Sequence, residues 1–297
     1  MRVFVTGATG FIGSAVVEDL IAAGHQVLGL TRSDAGAKAL AAAGADAHRG
    51  SLEDLESLRR GADQSDGVIH TAFNHDFSTY VANCEADRAV IEALGAVLVG
   101  SKRPLIVTSG TGMGAAPGRA VTEADPPARS TDVPRAASEE AAAAVGALGV
   151  NVSVMRLPQV HDTEKQGLVT YAIDAAREKG VSAYVGDGRN RWPAAHRLDT
   201  ARLYRLALER ADPGARYHAV AEEGVSMREI AEAIAGRLRV PAVSIGPDQA
   251  PAHFGWLAMF AGLDVPASSL QTRSRLGWNP TGPGLIADLE RLGDGAG

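Results

Sequence analysis

Short runs of β-branched and apolar residues, at 3–5, 26–30, 67–70, 105–108 and 152–156, alternate with longer stretches whose apolar positions recur at helical spacing. Between the first two runs, Val16, Val17, Leu20 and Ile21 share one helical face after Gly13, and Gly24 stands where a helix C-terminus favours glycine. Ser51 with Asp54, ahead of Leu55 and Leu58, marks a second helix start. Ser226 with Glu229, ahead of Ile230, Ile234 and Leu238, marks another. Parallel strands need right-handed crossovers that lay helices on both faces of a sheet, so the alternation predicts an α/β chain with a doubly wound parallel sheet. Past Val160 the pattern loosens, and Trp192, Pro193, Phe254, Trp256, Phe260, Pro266, Trp278 and Pro280 come at short intervals. The expected organisation is a main domain over residues 1–160, to which 196–210 returns, and a smaller, discontinuous C-terminal lobe over 161–297.

Gly7, Gly10 and Gly13 form GxxGxxG directly after the first run and at the mouth of the first helix. Glycine at such a junction permits the tight turn and lets backbone N–H groups approach a pyrophosphate resting on the positive helix end, so the arrangement predicts a Rossmann-type dinucleotide site. The second run ends in Thr31-Arg32-Ser33, where an NAD-binding chain usually places an acid on the ribose hydroxyls. Arg32 can pair with a 2′-phosphate, and Thr31 and Ser33 can hydrogen-bond to it, so NADP(H) is expected in preference to NAD. Asp34, two residues on, argues the other way.

With 45% apolar residues the 297-residue chain can bury a substantial core. A net charge of -6 provides no basic field for nucleic acid, and no run of roughly 18 apolar residues suits a membrane span. The expected partner is therefore a small molecule, with no nucleic acid and no membrane, acting on a monomer or homodimer. A lone cysteine, Cys84, and the lack of a signal-like N-terminus point to a cytoplasmic protein without disulfides. Cys84 reads as a small helical core residue, and His75, Asp76 and His161 have no metal-site spacing, so no metal is expected.

The opening Val3-Phe4-Val5-Thr6-Gly7-Ala8-Thr9-Gly10-Phe11-Ile12-Gly13 resembles that of the extended and atypical short-chain dehydrogenase/reductases, which include NAD(P)-dependent epimerase/dehydratase-like proteins. Val68-Ile69-His70-Thr71-Ala72 is similar to the family's fourth strand, Ala82-Asn83-Cys84 to the start of the next helix, and the segment from Thr108 to Gly114 to the fifth strand. Arg156-Leu157-Pro158-Gln159-Val160-His161 resembles the segment closing over the nicotinamide, and the segment from Arg191 to Asp199 the one returning to the sheet. The resemblance implies a cofactor set of Gly7, Thr9, Gly10, Phe11, Ile12, Gly13, Thr31, Arg32, Ser33, Ser51, Leu52, Thr71, Ala72, Phe73 and Pro158. It also implies that Ser109 polarises the reacting oxygen and that Asn83 orders a water or backbone segment.

The family's YxxxK pair is missing. By register with Ser109, Arg135 takes the place of the Tyr and Glu139 that of the Lys, and none of the four lysines lies in this helix. Arginine stabilises an oxyanion but does not readily supply a proton. His161, expected near the nicotinamide, and Tyr80, one turn before Asn83, are the candidate substitutes. The apolar segment 253–260 reads as packing, with a substrate cap or dimer face as alternatives. The favoured function is an NADP(H)-dependent oxidoreductase with non-standard proton delivery. A redox-neutral epimerase, dehydratase or cyclase, and a non-catalytic NADP(H) sensor, remain open.

Overall fold

A computed structural model describes residues 1–112 and 118–293. Its first half runs β1 (Arg2–Thr6), α1 (Phe11–Ala22), β2 (Gln26–Thr31), α2 (Asp34–Ala42), β3 (Asp46–Arg49), α3 (Leu55–Asp63), β4 (Gly67–His70), α4 (Tyr80–Leu98), β5 (Pro104–Gly110), α5 (Ala137–Ala147) and β6 (Asn151–Leu157). It continues through β7 (Gln159–His161), α6 (Val169–Lys179), β8 (Ser182–Val185), β9 (Arg191–His196), α7 (Arg197–Arg210), β10 (Arg216–His218), β11 (Glu222–Ser226), α8 (Met227–Leu238) and β12 (Ala242–Ile245). Short helices α9 (Ala250–Phe254), α10 (Ala258–Ala261), α11 (Leu270–Leu276) and α12 (Leu285–Leu289) complete it.

Seven parallel strands in the order β10-β6-β5-β4-β1-β2-β3 form the main sheet, so the expected doubly wound architecture is what the chain adopts. The strand order reverses between β1 and β4, the place where ligands bind in open α/β sheets. Every residue of β4 and nearly every residue of β5 is buried, as a strand covered on both faces requires. Strand β3 reads Asp-Ala-His-Arg because it is the sheet edge, and charged side chains there discourage pairing with another chain.

The helical segment 197–210 packs back on the sheet: Leu203, Tyr204, Ala207 and Leu208 share one core with Val3, Val5 and Ile69 of β1 and β4. Beyond β6 a three-stranded sheet, β11-β9-β7, and a two-stranded pair, β12-β8, enclose a separate core around Trp192, Ile230, Phe254 and Leu285. The capping box at Ser226 and Glu229 forms, and Gly24 has φ +84° just past α1. The start of α3 differs from expectation: Asp54, not Ser51, is its cap, accepting from Ser57 N at 3.0 Å. No described helix is long and apolar enough to cross a membrane.

Candidate active site

The glycine loop owes its shape to close backbone contacts. Gly7 has φ +67°, and a Cβ there would lie 2.8 Å from Ala72 N; one on Gly13 would lie 2.0 Å from the Gly7 carbonyl oxygen. Gly10 donates to that same oxygen at 2.8 Å and is the N-cap of α1. No side chain caps α1 and no acid occupies its first turn, so its leading N–H groups remain available to an anion. Thr71 and Ala72 close the other side: Thr71 Oγ1 donates to Thr6 O at 2.7 Å, and Ala72 N donates to Thr6 Oγ1 at 3.4 Å. Thr9 is exposed on the loop, Ile12 packs on the sheet, and Arg197 lies 5.1 Å over the Phe11 ring while donating to Ser14 Oγ. This backbone cradle fits a dinucleotide pyrophosphate.

At the far end of the groove Thr31 is buried, and Ser33 Oγ caps α2 by accepting from Gly36 N at 3.0 Å. Asp34, the residue that argued for NAD, is engaged by Arg49. Arg32 is exposed and makes no ion pair among the described residues. Ser51 and Leu52 are half-buried beyond α2, with Leu52 packed on the core, and Pro158 is the half-buried link between β6 and β7.

The two motif positions carry opposite charges, and each is held by a buried partner. Arg135 Nη1 donates to Asp87 Oδ2 at 2.9 Å and to Ser138 Oγ, its Nη2 donates to Thr108 O at 3.0 Å, and its guanidinium lies 4.1 Å over the Phe73 ring. Asp87 also faces His70 Nε2 at 2.9 Å, and His70 Nδ1 faces Thr6 Oγ1 at 2.6 Å. Burial alone would raise the Asp87 carboxyl, but the charges of His70 and Arg135 and the hydrogen bonds of His70 and Ser138 bring it down to about 2. Glu139 accepts from Ser109 Oγ at 2.8 Å and from Arg156 Nε and Nη2 at 2.8 and 2.9 Å, all of it buried. Arg156 in turn reaches His218 Nε2 at 3.3 Å.

These placements change three expectations. Ser109 is 4% exposed and spends its hydroxyl hydrogen on Glu139, so it is not free to donate to a substrate oxygen. His161 is wholly buried: Nδ1 donates to Asp288 Oδ2 at 2.7 Å, and burial lowers its pKa. The chain leaves the main sheet at Leu157 and β7 pairs with β9, setting His161 beside His196 rather than beside Ser109, so the relay role does not fit this placement. Tyr80 is pushed up to about 12, chiefly by burial, which makes it a poor proton source near neutrality. Cys84 is fully buried in α4, and burial pushes its thiol up to about 11. Among the described residues no His, Cys, Asp and Glu group is arranged to hold a metal. Met113 and Gly114, part of the fifth-strand resemblance, lie outside the described residues.

One residue takes a place that sequence reasoning passed over. His75, considered only as a metal ligand, sits with its ring 5.2 Å from Phe73, at the edge of the ring whose face carries Arg135. Its ring reaches the surface, but desolvation by the surrounding atoms and then the charges of Arg135 and Lys165 hold its pKa below the usual histidine value. Asn83 organises the loop bearing His75: Nδ2 donates to Asp76 O at 2.8 Å and to Thr79 Oγ1 at 3.1 Å, and Oδ1 accepts from Asn74 Nδ2 at 3.2 Å. The signal for His75 was positional, a histidine just after the strand that borders the glycine loop.

Comparison with known proteins agrees with this fold. The profile of the NAD dependent epimerase/dehydratase family matches residues 3–221. An uncharacterized protein of Schizosaccharomyces pombe is 48% identical, with 97% of this chain and 98% of that one covered, and one of Saccharomyces cerevisiae is 43% identical over the same shares. A 4-hydroxy-2-methyl-3-oxo-4-farnesyl-3,4-dihydroquinoline-1-oxide ketoreductase of Stigmatella aurantiaca is 26% identical, covering 91% and 85%. Among solved structures, the UDP-glucose 4-epimerase of Thermus thermophilus, crystallised with NAD, has a similar fold: TM-score 0.76, 22% identity, 98% and 97% covered.

Proposed function

This chain belongs to the NAD dependent epimerase/dehydratase family, and on that premise we propose that it is an NADP(H)-dependent oxidoreductase acting on a small carbonyl or alcohol, with a proton route of its own. The observation that carries the cofactor assignment is the combination of an uncapped α1 with an Arg32 that makes no ion pair among the described residues while Asp34 is held by Arg49. In this reading Gly7, Thr9, Gly10, Phe11, Ile12 and Gly13 hold the pyrophosphate. Arg32, with Thr31 and Ser33, holds the 2′-phosphate. Ser51, Leu52, Thr71, Ala72, Phe73 and Pro158 line the remaining groove. Bound there, the dinucleotide supplies or removes hydride at the substrate carbon.

Arg135 keeps N–H groups at Nε and Nη2 beyond its three bonds, and these receive the substrate oxygen as it gains negative charge. His75 exchanges the proton: its imidazolium gives one to that oxygen in carbonyl reduction, and its neutral ring takes one in alcohol oxidation. Asn83 acts through the loop it holds, and Ser109 through Glu139, so both are positioning residues. The ketoreductase among the relatives supports the redox reading.

Calorimetric titration with NADPH and NADH checks the cofactor assignment. NADPH is expected to bind more tightly, and Arg32→Ala to narrow the difference by about 10–100-fold, the worth of one charge-assisted hydrogen-bonded contact. Tighter NADH binding overturns the preference, and no heat from either dinucleotide at millimolar concentration overturns the whole reading. Loss of NADPH absorbance across a carbonyl panel tests the reaction; product formed with no net absorbance change favours redox-neutral chemistry.

A further inference from the structure

The chain is poor in aromatic residues, yet six of its fourteen Phe, Tyr and Trp side chains meet at one place. Phe77 stacks on Trp256 with ring centroids 3.9 Å apart and planes 12° from parallel. Tyr80 and Tyr171 approach that pair at 5.4 and 4.8 Å, and Phe260 lies 6.3 Å from Trp256. Phe73 joins the group through Tyr80 at 6.4 Å, and Phe73 is the ring that carries Arg135. The rings therefore run without a break from the cationic group at the motif position outward to the C-terminal lobe. They come from the loop after β4, from the start of α4, from α6, and from the turn and helix that follow α9.

We propose that this aromatic passage binds the flat, apolar ring portion of the substrate, so that the substrates are aromatic or polycyclic carbonyl compounds and their alcohols rather than nucleotide sugars. The inference rests on the oxidoreductase reading and names its substrate class. Exposure separates these rings from core filler. Trp192 and Trp278 are 1% and 2% exposed, whereas Trp256 and Tyr171 are each 37% exposed, leaving ring surface open where a ligand can cover it.

Charge points the same way. A diphosphate needs uncommitted guanidinium or ammonium groups, preferably in bidentate geometry. Arg191 and Arg228 on the lobe are instead paired with Asp264 and Glu232, which leaves the single ammonium of Lys165, whose charge reaches His75, and no bidentate guanidinium clamp from these two. Asn83, by holding Asp76 O and Thr79 Oγ1, fixes the loop that presents Phe77 to Trp256. One loop thus carries both a ring of the passage and His75, placing a bound ring system close to the proton-exchanging group.

The test uses 2-naphthol, a flat phenol whose oxygen-bearing carbon carries no hydrogen and so cannot give up a hydride, titrated calorimetrically into the NADP-loaded protein beside UDP. Native protein is expected to bind 2-naphthol. Trp256→Ala is expected to weaken binding about tenfold and Trp256→Phe to recover most of it. Leu270→Ala, exposed and outside the passage, keeps native affinity. In turnover, Trp256→Ala is expected to cut the preference for 2-naphthaldehyde over butanal about tenfold in kcat/KM. Undetectable 2-naphthol binding, equal binding to native and Trp256→Ala proteins, or tighter binding of UDP overturns the proposal. If 2-naphthol binds as expected but no carbonyl consumes NADPH, the passage stands and the oxidoreductase reading falls.

Discussion

Glu139→Gln removes the carboxylate that neutralises Arg156 while keeping the shape and one of the two acceptor oxygens. Both side chains are almost wholly buried, and Glu139 accepts two bonds from the guanidinium at 2.8 and 2.9 Å plus one from Ser109. Breaking one side of a buried pair leaves an uncompensated charge in a low-dielectric interior, at about 3–5 kcal/mol. For a chain of this length each kcal/mol shifts Tm by about 2 °C, so a fall of about 6–10 °C is expected by calorimetry. Glu139→Lys, the residue expected there from the family resemblance, sets two cations against each other and is expected to do more damage. Glu139→Gln with Arg156→Met removes both charges and is expected to recover most of the loss, because an apolar replacement of a buried pair is often neutral. A single variant that loses less than about 1 kcal/mol, or a double variant no more stable than the single, refutes the claim that this position has become a structural ion pair.

Two further outcomes test the site. Gly13→Ala puts a methyl 2.0 Å from the Gly7 carbonyl oxygen, so the loop must shift and NADPH binding is expected to fall by about 100-fold or more in calorimetry; unchanged affinity removes the glycine loop from the cofactor site. His75 has a lowered pKa because partial desolvation, Arg135 and Lys165 disfavour its imidazolium. Its neutral form therefore persists to lower pH than in a free histidine: alcohol oxidation is expected to rise with pH through that lowered pKa and then level off, while carbonyl reduction falls across the same interval. His75→Gln is expected to flatten both limbs of the kcat/KM profile, and a profile identical to native removes His75 from proton transfer.

What was legible in the sequence was what is local. The glycine loop, the strands at 3–5 and 105–108 and the capping box at Ser226 each depend on residues a few positions apart, and the structure has them all. Strand β3 escaped because hydrophobic alternation is weakest at a sheet edge, and β10 because three residues show no period. His161 was misplaced for a physical reason. Its segment was read as continuing beside the nicotinamide, whereas the chain passes from β6 into a second sheet within two residues and carries the ring into the lobe's interior. The ring passage was invisible to any local window, since Phe77, Tyr171 and Trp256 come from three distant segments.

The expectation that Arg135 and Glu139 stand where the family has Tyr and Lys becomes intelligible once their partners are seen. Arg135 is tolerable in its half-buried position because α4 supplies Asp87, and Glu139 in its buried one because β6 supplies Arg156. Neither partner announces itself, lying 48 and 17 residues away respectively. In the proposed reading, swapping a phenol for a guanidinium moves the site from donating a proton to stabilising a negative oxygen, because arginine does not readily supply a proton. A site that holds an oxyanion with a permanent cation still has to move a proton for each hydride transferred. That requirement selects a group that titrates near neutrality, stands outside the buried ion pairs and lies beside Arg135. In the proposed reading His75, an imidazole held below its usual pKa, is taken as that group because it meets the last two conditions, whereas Tyr80, pushed up to about 12, fails the first and His161, bonded to Asp288, fails the other two.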